Sequence, residues 1–160
     1  MLLLILIKES VCNKRMKRIV GGISAAKPPE DDPVVFIHLY ERDSRIEGTY
    51  DNFTKLYSFY GIHYAEPPTS EKRFVRPHYK RLLGDINAVK NGPPCPQPAF
   101  HNNNIIVGNE NCLLLNLFTP TMPDETTGLP VIIWIHGGGY RFGSASQYSV
   151  NRLIFIINYK

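Results

Sequence analysis

The chain has 160 residues, of which 43% are hydrophobic and 20% charged, and its formal net charge is +4. This length fits one ordinary domain, and the composition argues against disorder along the whole chain. The mild positive charge comes without any nucleic-acid recognition signature, so nucleic-acid binding is not expected, and no apolar run approaches the roughly 20 residues of a membrane-spanning helix.

Residues 1–33 are predicted to form an irregular leader. Residues 2–7 are apolar, but a secretory signal needs roughly 7–15 apolar residues after a basic segment, and no basic segment precedes them. A degenerate or truncated signal segment and a plain leader both remain possible interpretations. Three prolines and three acidic residues follow at positions 27–33, which disfavour helix and strand pairing.

The next part of the chain is predicted to be rich in strands. Residues 34–40 form a candidate strand, and residues 45–50 and 55–60 flank a turn-prone Asp51-Asn52 pair, which indicates an antiparallel hairpin. The double proline at the end of residues 61–68 keeps that segment extended, because proline fixes its own φ and disfavours helix before it.

Loops are predicted in the middle of the chain. Residues 71–91 are basic and mixed, with room for a short turn or two. Residues 91–98 hold four prolines and are predicted to be irregular, and the polar residues 101–104 extend the loop.

The last third holds apolar runs at residues 112–119, 131–135 and 153–159. Such runs are typical of strands buried on both faces. The 17 residues at 136–152 suffice for a parallel crossover, which needs about a dozen or more. Parallel apolar strands need helices on both faces, and few helical segments occur here. We therefore expect this chain to be part of a larger fold.

Three glycines follow the run at 131–135 and the single His136. Each glycine loses more conformational freedom on folding than any other residue, which makes three of them costly for a mere connection. Without side chains, however, their backbone N–H groups can approach a ligand closely. The segment is a candidate cradle for an anion or a developing oxyanion, and a plain tight turn is the alternative.

Four landmarks occur in a fixed order: residues 59–68 (Phe-Tyr-Gly-Ile-His-Tyr-Ala-Glu-Pro-Pro), Arg73-Phe74 with Pro77, residues 110–116 (Glu-Asn-Cys-Leu-Leu-Leu-Asn), and residues 134–139 (Trp-Ile-His-Gly-Gly-Gly). Together they resemble the type-B carboxylesterase/cholinesterase family of α/β-hydrolases. The resemblance implies an α/β fold, the strand-rich N-terminal part of an α/β-hydrolase with an incomplete central mixed sheet. Residues 34–160 would then be a partial carboxylesterase domain, a third or less of a typical member.

The resemblance also implies roles for individual residues. Gly138 and Gly139 would donate the oxyanion-hole N–H groups, and His136 and Gly137 would support that loop. The other implied contacts are a disulfide between Cys95 and Cys112 and a structural ion pair between Arg73 and Glu110. No metal site and no cofactor are implied. For the full-length protein the resemblance implies a small carboxylic ester as substrate and a secreted or extracellular location, and it indicates no oligomeric state.

Three positions depart from the family pattern. Asn111 stands where the usual motif has aspartate, His63 where it has proline, and Ser70 where it has glycine. None of these changes touches the three glycines. They put the conformation of the neighbouring loops in question.

The sequence contains no Gly-x-Ser-x-Gly elbow, and thus neither the catalytic serine nor the acid and histidine that would follow it. His136 is expected to be structural, and the other four histidines share no metal-binding spacing. We therefore predict an N-terminal fragment of a carboxylic ester hydrolase that is inactive alone. The alternative is a non-catalytic cholinesterase-like binding or adhesion protein.

Three smaller features complete the sequence analysis. Asn52-Phe53-Thr54 is an N-glycosylation sequon, which matters if the chain is secreted. Cys12 belongs to the leader or is a free thiol, since an odd cysteine count leaves one unpaired. Tyr140 and Phe142 either line a substrate gorge or pack locally.

Overall fold

The computed structural model describes residues 2–6, 32–39, 42–122, 131–148 and 150. The strand predicted at 153–159 and the cysteine at position 12 lie outside these residues. The strands within them are β1 (Leu2–Leu6), β2 (Val34–Leu39), β3 (Arg42–Glu47), β4 (Thr49–Asp51), β5 (Leu56–His63), β6 (Gly84–Asn87), β7 (Gln97–Ala99), β8 (Asn102–Val107), β9 (Leu114–Thr119) and β10 (Val131–Ile135). Single 3-10 turns occur at Ser70–Lys72 and Ala145–Gln147.

The central sheet has the strand order β10-β1-β9-β5-β4. It is mixed, because β1 runs parallel to β9 while β1–β10, β5–β9 and β4–β5 are antiparallel. The prediction of a strand-rich, partial mixed sheet is confirmed. β1 differs from the irregular leader predicted for residues 1–33. Its unbroken apolar sequence suits a place between two apolar strands, where its backbone groups bond on both sides. The division of the chain at residue 33 stays a prediction.

The predicted hairpin is present but shorter on its first side. β4 pairs with β5, with Tyr50 opposite Tyr57, and a turn at residues 52–55 joins them. The segment predicted as one strand is split at Gly48, after which the chain changes sheets. A Cβ atom at Gly48 would lie 2.6 Å from the Phe59 ring, so this glycine lets the backbone pass directly against the core.

Two further sheets contain the confirmed strand β2 and β3, which includes residues 45–47 of the strand predicted at 45–50; their other strands form where no strand was predicted. β3 pairs with β2 and, in parallel, with β6, while β7 and β8 form a separate two-stranded ladder. The loop predictions for residues 91–98 and 101–104 were wrong where β7 and β8 form, and β6 lies in the mixed segment 71–91, for which only a short turn or two was predicted. These strands are short, polar or proline-containing, so their sequences carry no period-2 signal, and pairing with a distant strand determines their conformation.

The core between the sheets is built from five buried residues: Ile46, Tyr57, Phe59, Ile62 and Ala88. The hydrogen bond from the Tyr60 N–H to the Ala88 carbonyl, at 2.7 Å, ties β5 to the segment after β6. The core thus joins the first half of the landmark at residues 59–68, which lies in β5, to the segment after β6.

Asn116 is a fully buried polar side chain in β9, whose strand prediction is confirmed. Its Oδ1 accepts the Gly61 N–H at 3.0 Å, and its Nδ2 donates to Asn91 Oδ1 at 2.6 Å. Gly61 has φ +66 and lies in the register shift of β5, where the ladder leaves this N–H without a strand partner. Asn116 therefore replaces the missing ladder bond at the bulge.

β10 is a strand, as predicted, but it is not buried. Its side chains range in exposure from 36% for Val131 to 70% for Ile135. Within the described residues, β10 lies at the sheet edge and pairs with β1 alone. The expectation of burial on both faces is wrong here, because burial depends on what packs against a strand and not on its own composition.

Candidate functional site

The three glycines continue directly from β10 into a loop that we call the glycine loop, residues 136–144. It turns tightly, because the Gly138 carbonyl accepts N–H groups from both Arg141, at 3.0 Å, and Phe142, at 3.3 Å. Gly138, Gly139 and Tyr140 have φ values of +134°, +59° and +58°. The backbone of the glycine loop therefore forms a tight turn.

The three glycines are not equivalent. A Cβ atom on Gly138 would lie 1.7 Å from the Phe142 carbonyl oxygen, whereas one on Gly137 or Gly139 would meet nothing within 4 Å. Gly139 has the left-handed φ that glycine adopts most readily, and Gly137 has no such requirement. Of these three glycines, Gly138 alone combines a positive φ with a backbone contact that excludes any side chain.

The turn leaves two backbone donors unused. Among the described residues, no atom accepts a hydrogen bond from the N–H of Gly138 or of Gly139. Gly139 is exposed and Gly138 partly so. Two adjacent N–H groups beside the end of a strand, with no side chain in front of them, form an arrangement that can stabilise negative charge on an oxygen.

His136 is engaged inside the loop. Its Nδ1 lies 2.7 Å from the Gly137 carbonyl oxygen, which can only accept, so Nδ1 carries the proton. The ring stacks on Tyr148 with centroids 6.3 Å apart. These contacts suit the structural role implied for His136. The hydroxyls of Ser144 and Ser146 bond each other at 2.7 Å, which suits loop hydrogen bonding.

The disulfide implied by the family resemblance is confirmed. Cys95 and Cys112 are bonded, with Cα atoms 5.0 Å apart, and Cys112 is buried. The bridge encloses the β7–β8 ladder. Within the enclosed segment, the Glu110 carboxylate pairs with the guanidinium of Arg73, with the side chains of Arg73 and Glu110 59% and 33% exposed.

Two of the three departures from the family pattern contact each other. His63 Nε2 lies 2.6 Å from Asn111 Oδ1, joining the end of β5 to the loop before the disulfide. The amide oxygen is an acceptor, so His63 donates through Nε2. The third departure, Ser70, keeps a positive φ of +52°, the conformation that a glycine would adopt without strain.

Among the residues that the structure describes, three side chains have a shifted pKa, and all three lie outside the glycine loop. The hydrogen bond and charge of Lys72 hold the pKa of Glu66 below its ordinary value. The Phe53 N–H and the Thr54 hydroxyl, which bond the Asp51 carboxylate, lower the pKa of Asp51. Burial raises the pKa of Tyr64. These shifts follow from local turn and packing contacts and do not indicate an acid–base pair.

The two aromatic residues of the glycine loop behave differently. Tyr140 is fully exposed, whereas Phe142 packs edge-on against Phe100 with centroids 6.0 Å apart. A small cavity of about 110 Å³ lies between the loop and the β7–β8 ladder. A larger one of about 450 Å³ lies at the β4–β5 hairpin and includes no residue of the glycine loop. Phe142 therefore packs locally, whereas the Tyr140 side chain is exposed to solvent.

One residue at this site was not predicted. Gln97 accepts the Gly143 N–H through Oε1 at 2.6 Å and donates from Nε2 to the Gly143 carbonyl at 3.0 Å. No pattern in the sequence predicts this contact, since Gln97 lies among prolines and is 46 residues from its partner. In the described ranges, no group of three His, Cys, Asp or Glu residues could hold a metal ion, and no helix is long and apolar enough to cross a membrane.

Comparison with known proteins matches this chain to one family. The family model described as "Carboxylesterase family" covers residues 31–157. Esterase E4 from Myzus persicae is 40% identical over 126 residues, which are 76% of this chain and 23% of that esterase. A carboxylic ester hydrolase from Bombus ignitus is 36% identical over 98 residues, 58% of this chain and 18% of that hydrolase.

A solved structure agrees with the sequence comparisons. A thermophilic PNB esterase superposes with a TM-score of 0.52 at 32% identity, covering 64% of this chain and 22% of the esterase. The fold is therefore similar to that of an esterase in its matched part. The chain spans about a quarter of the length of the curated relatives it matches.

Proposed function

The chain belongs to the carboxylesterase family, and from that membership we propose that it supplies the oxyanion-binding loop of a carboxylic ester hydrolase. The observation that carries the proposal is the pair of N–H groups on Gly138 and Gly139, for which the described part of the chain provides no hydrogen-bond acceptor. In ester hydrolysis by an acyl-serine route, the carbonyl oxygen becomes negative as the nucleophile attacks. Two fixed N–H donors stabilise that charge, and one such donor contributes about 10²–10³ in rate.

The nucleophile of this reaction is proposed to lie outside the present sequence. The family elbow, Gly-x-Ser-x-Gly, occurs nowhere in these 160 residues, and the chain spans 23% of Esterase E4. The coding sequence that follows Lys160 tests the proposal. We expect it to encode the elbow, followed by an acidic residue and a histidine. A replaced serine would instead favour the non-catalytic binding protein.

The isolated chain is expected to show no esterase turnover. Oxyanion donors accelerate attack by a nucleophile, and without the serine there is no acyl intermediate to stabilise. The measurement is hydrolysis of a p-nitrophenyl ester by the purified 160-residue chain, with titration by an organophosphate. A full-length family member is the positive control. A stoichiometric burst of p-nitrophenol from this chain would contradict the prediction.

Residues 52–54 are proposed to carry an N-linked glycan on an extracellular protein. Asn52 is exposed in the turn between β4 and β5, and the Phe53 side chain is 95% exposed, so the turn is accessible. The Cys95–Cys112 disulfide supports an oxidising compartment, where such bridges persist.

We expect the chain secreted from eukaryotic cells to lose apparent mass on treatment with an N-glycosidase. The Thr54 hydroxyl also donates a hydrogen bond to the Asp51 carboxylate at 2.8 Å. The experiment therefore compares a variant that keeps this hydroxyl with one that removes it. Thr54→Ser keeps both the sequon and the hydroxyl and should remain glycosylated. Thr54→Ala removes both and should not be. Equal mobility of the two variants before and after treatment would refute the glycan.

A further inference from the structure

Gln97 joins the disulfide-bonded segment to the glycine loop. Its side-chain amide makes two hydrogen bonds to one residue: Oε1 accepts the Gly143 N–H, and Nε2 donates to the Gly143 carbonyl. Nε2 also donates to the Cys95 carbonyl at 2.9 Å. The three partners fix which end of the amide is oxygen, because an N–H faces one end and two carbonyls face the other.

The bond to Gly143 acts on Gly138 through one peptide unit. The Gly143 N–H and the Phe142 carbonyl belong to the same planar peptide group, so fixing the direction of one fixes the other. That Phe142 oxygen lies only 1.7 Å from the position a Cβ would take on Gly138. The Phe142 N–H in turn bonds the Gly138 carbonyl. Two hydrogen bonds therefore link the Gln97 amide to Gly138: the bond from the Gly143 N–H to Gln97 Oε1, and the bond from the Phe142 N–H to the Gly138 carbonyl.

Gln97 is itself held in place. It lies two residues after Cys95, begins β7, and is hydrogen-bonded to the Cys95 carbonyl. The disulfide ties Cys95 to Cys112, two residues before β9 in the central sheet. Gly143 is buried against the His136 ring, so the far end of the glycine loop is also held in place.

We propose that Gln97 is a positioning residue that sets the direction of the Gly138 and Gly139 N–H groups by clamping the Gly143 peptide. The proposal rests on the oxyanion role of those glycines for its functional meaning. The chemistry requires a neutral amide, because one planar group must both accept and donate. An ionised carboxylate can only accept, and an ammonium can only donate.

The test is Gln97→Glu in the 160-residue chain, followed by NMR of the Gly138, Gly139 and Gly143 amides. At pH 7 the carboxylate cannot donate to the Gly143 carbonyl. Its oxygens still accept the Gly143 N–H but repel the Gly143 and Cys95 carbonyl oxygens, so the clamp opens and we expect all three amide signals to move. Below a pH of about 4 the protonated acid again offers one acceptor and one donor in the same plane, and the three signals should return towards those of the unaltered chain.

Controls separate this effect from general changes. Gln147→Glu adds the same charge to an exposed residue in the turn after the loop and should move none of the three signals. The unaltered chain is measured at every pH, because His136 and Arg141 are the ionisable neighbours in the loop. Ester hydrolysis does not enter the measurement, so failure of the proposed enzyme function leaves the result interpretable.

Two results would overturn the proposal. One is a change confined to Gly143, with the Gly138 and Gly139 signals unmoved. The other is a change that low pH does not reverse or that Gln147→Glu reproduces. If Gln97→Glu does not fold, the scalar coupling across the hydrogen bond from the Gly143 nitrogen to the Gln97 Cδ is measured in the unaltered chain. Its presence supports the clamp, and its absence overturns it.

Discussion

Replacing Gly138 with alanine is expected to displace the glycine loop and to lower the free energy of unfolding by about 2–3 kcal/mol, the range for a residue forced into a disallowed backbone conformation. The new Cβ would lie 1.7 Å from the Phe142 carbonyl oxygen, and φ is +134° at this position. Neither problem can be relieved by a side-chain rotation, since the contact is with backbone. The backbone itself must therefore move.

The neighbouring glycines provide matched controls. Gly137→Ala places a methyl group in open space and should change stability by less than about 0.5 kcal/mol. Gly139→Ala also meets open space but keeps a φ of +59°, which costs about 1 kcal/mol for a residue with a Cβ. Urea unfolding of the three variants measures the order of their stabilities. Equal stability of the Gly138 and Gly137 variants would show that the tight turn is not present in solution.

The same series bears on catalysis in a full-length protein that contains the elbow serine. Loss of one oxyanion donor should lower kcat by about 10²–10³ for Gly138→Ala. Gly137→Ala should leave kcat within a few-fold of the unaltered enzyme, because the Gly137 N–H is not one of the proposed donors. A non-catalytic binding or adhesion protein would show no turnover with or without these substitutions.

Opening the Cys95–Cys112 disulfide is expected to cost about 3 kcal/mol, the chain-entropy value for a loop of this size. For a chain of 160 residues that loss corresponds to a fall in Tm of roughly 6–12 °C. The bridge encloses the β7–β8 ladder and anchors Gln97, so the Gly143 end of the glycine loop should also lose the tie to β9 that runs through Gln97 and the disulfide.

Thermal unfolding with and without a reducing agent measures this effect. The double variant Cys95→Ala with Cys112→Ala should unfold at the lower temperature and should not respond to reductant. It serves as the control for effects of the reductant elsewhere, including at Cys12. A chain whose Tm is unchanged by reduction would contradict the prediction.

The family and the strand–glycine junction could be predicted from the sequence because each depends on residues that are local or have a fixed order, and the disulfide pair followed from the resemblance to that family. An unbroken β-branched run predicts β10, and glycines directly after it predict a loop without side chains. Ordered landmarks around Glu110, Cys112 and His136 identified the carboxylesterase family, which the comparisons confirmed. The predicted roles of Gly138 and Gly139 come from that family pattern and remain proposals.

The tertiary structure alone decided which distant groups meet. Gln97 bonds Gly143, Asn116 fills the gap left at Gly61, and His63 contacts Asn111, across separations of 46, 55 and 48 residues. It also placed β10 at an exposed edge and made strands of segments predicted to be loops. Local sequence determines backbone preference, but a buried polar group is satisfied by whatever the fold brings near it. The glycine loop could therefore be predicted from the sequence, whereas the contact of the Gln97 side chain with that loop could not.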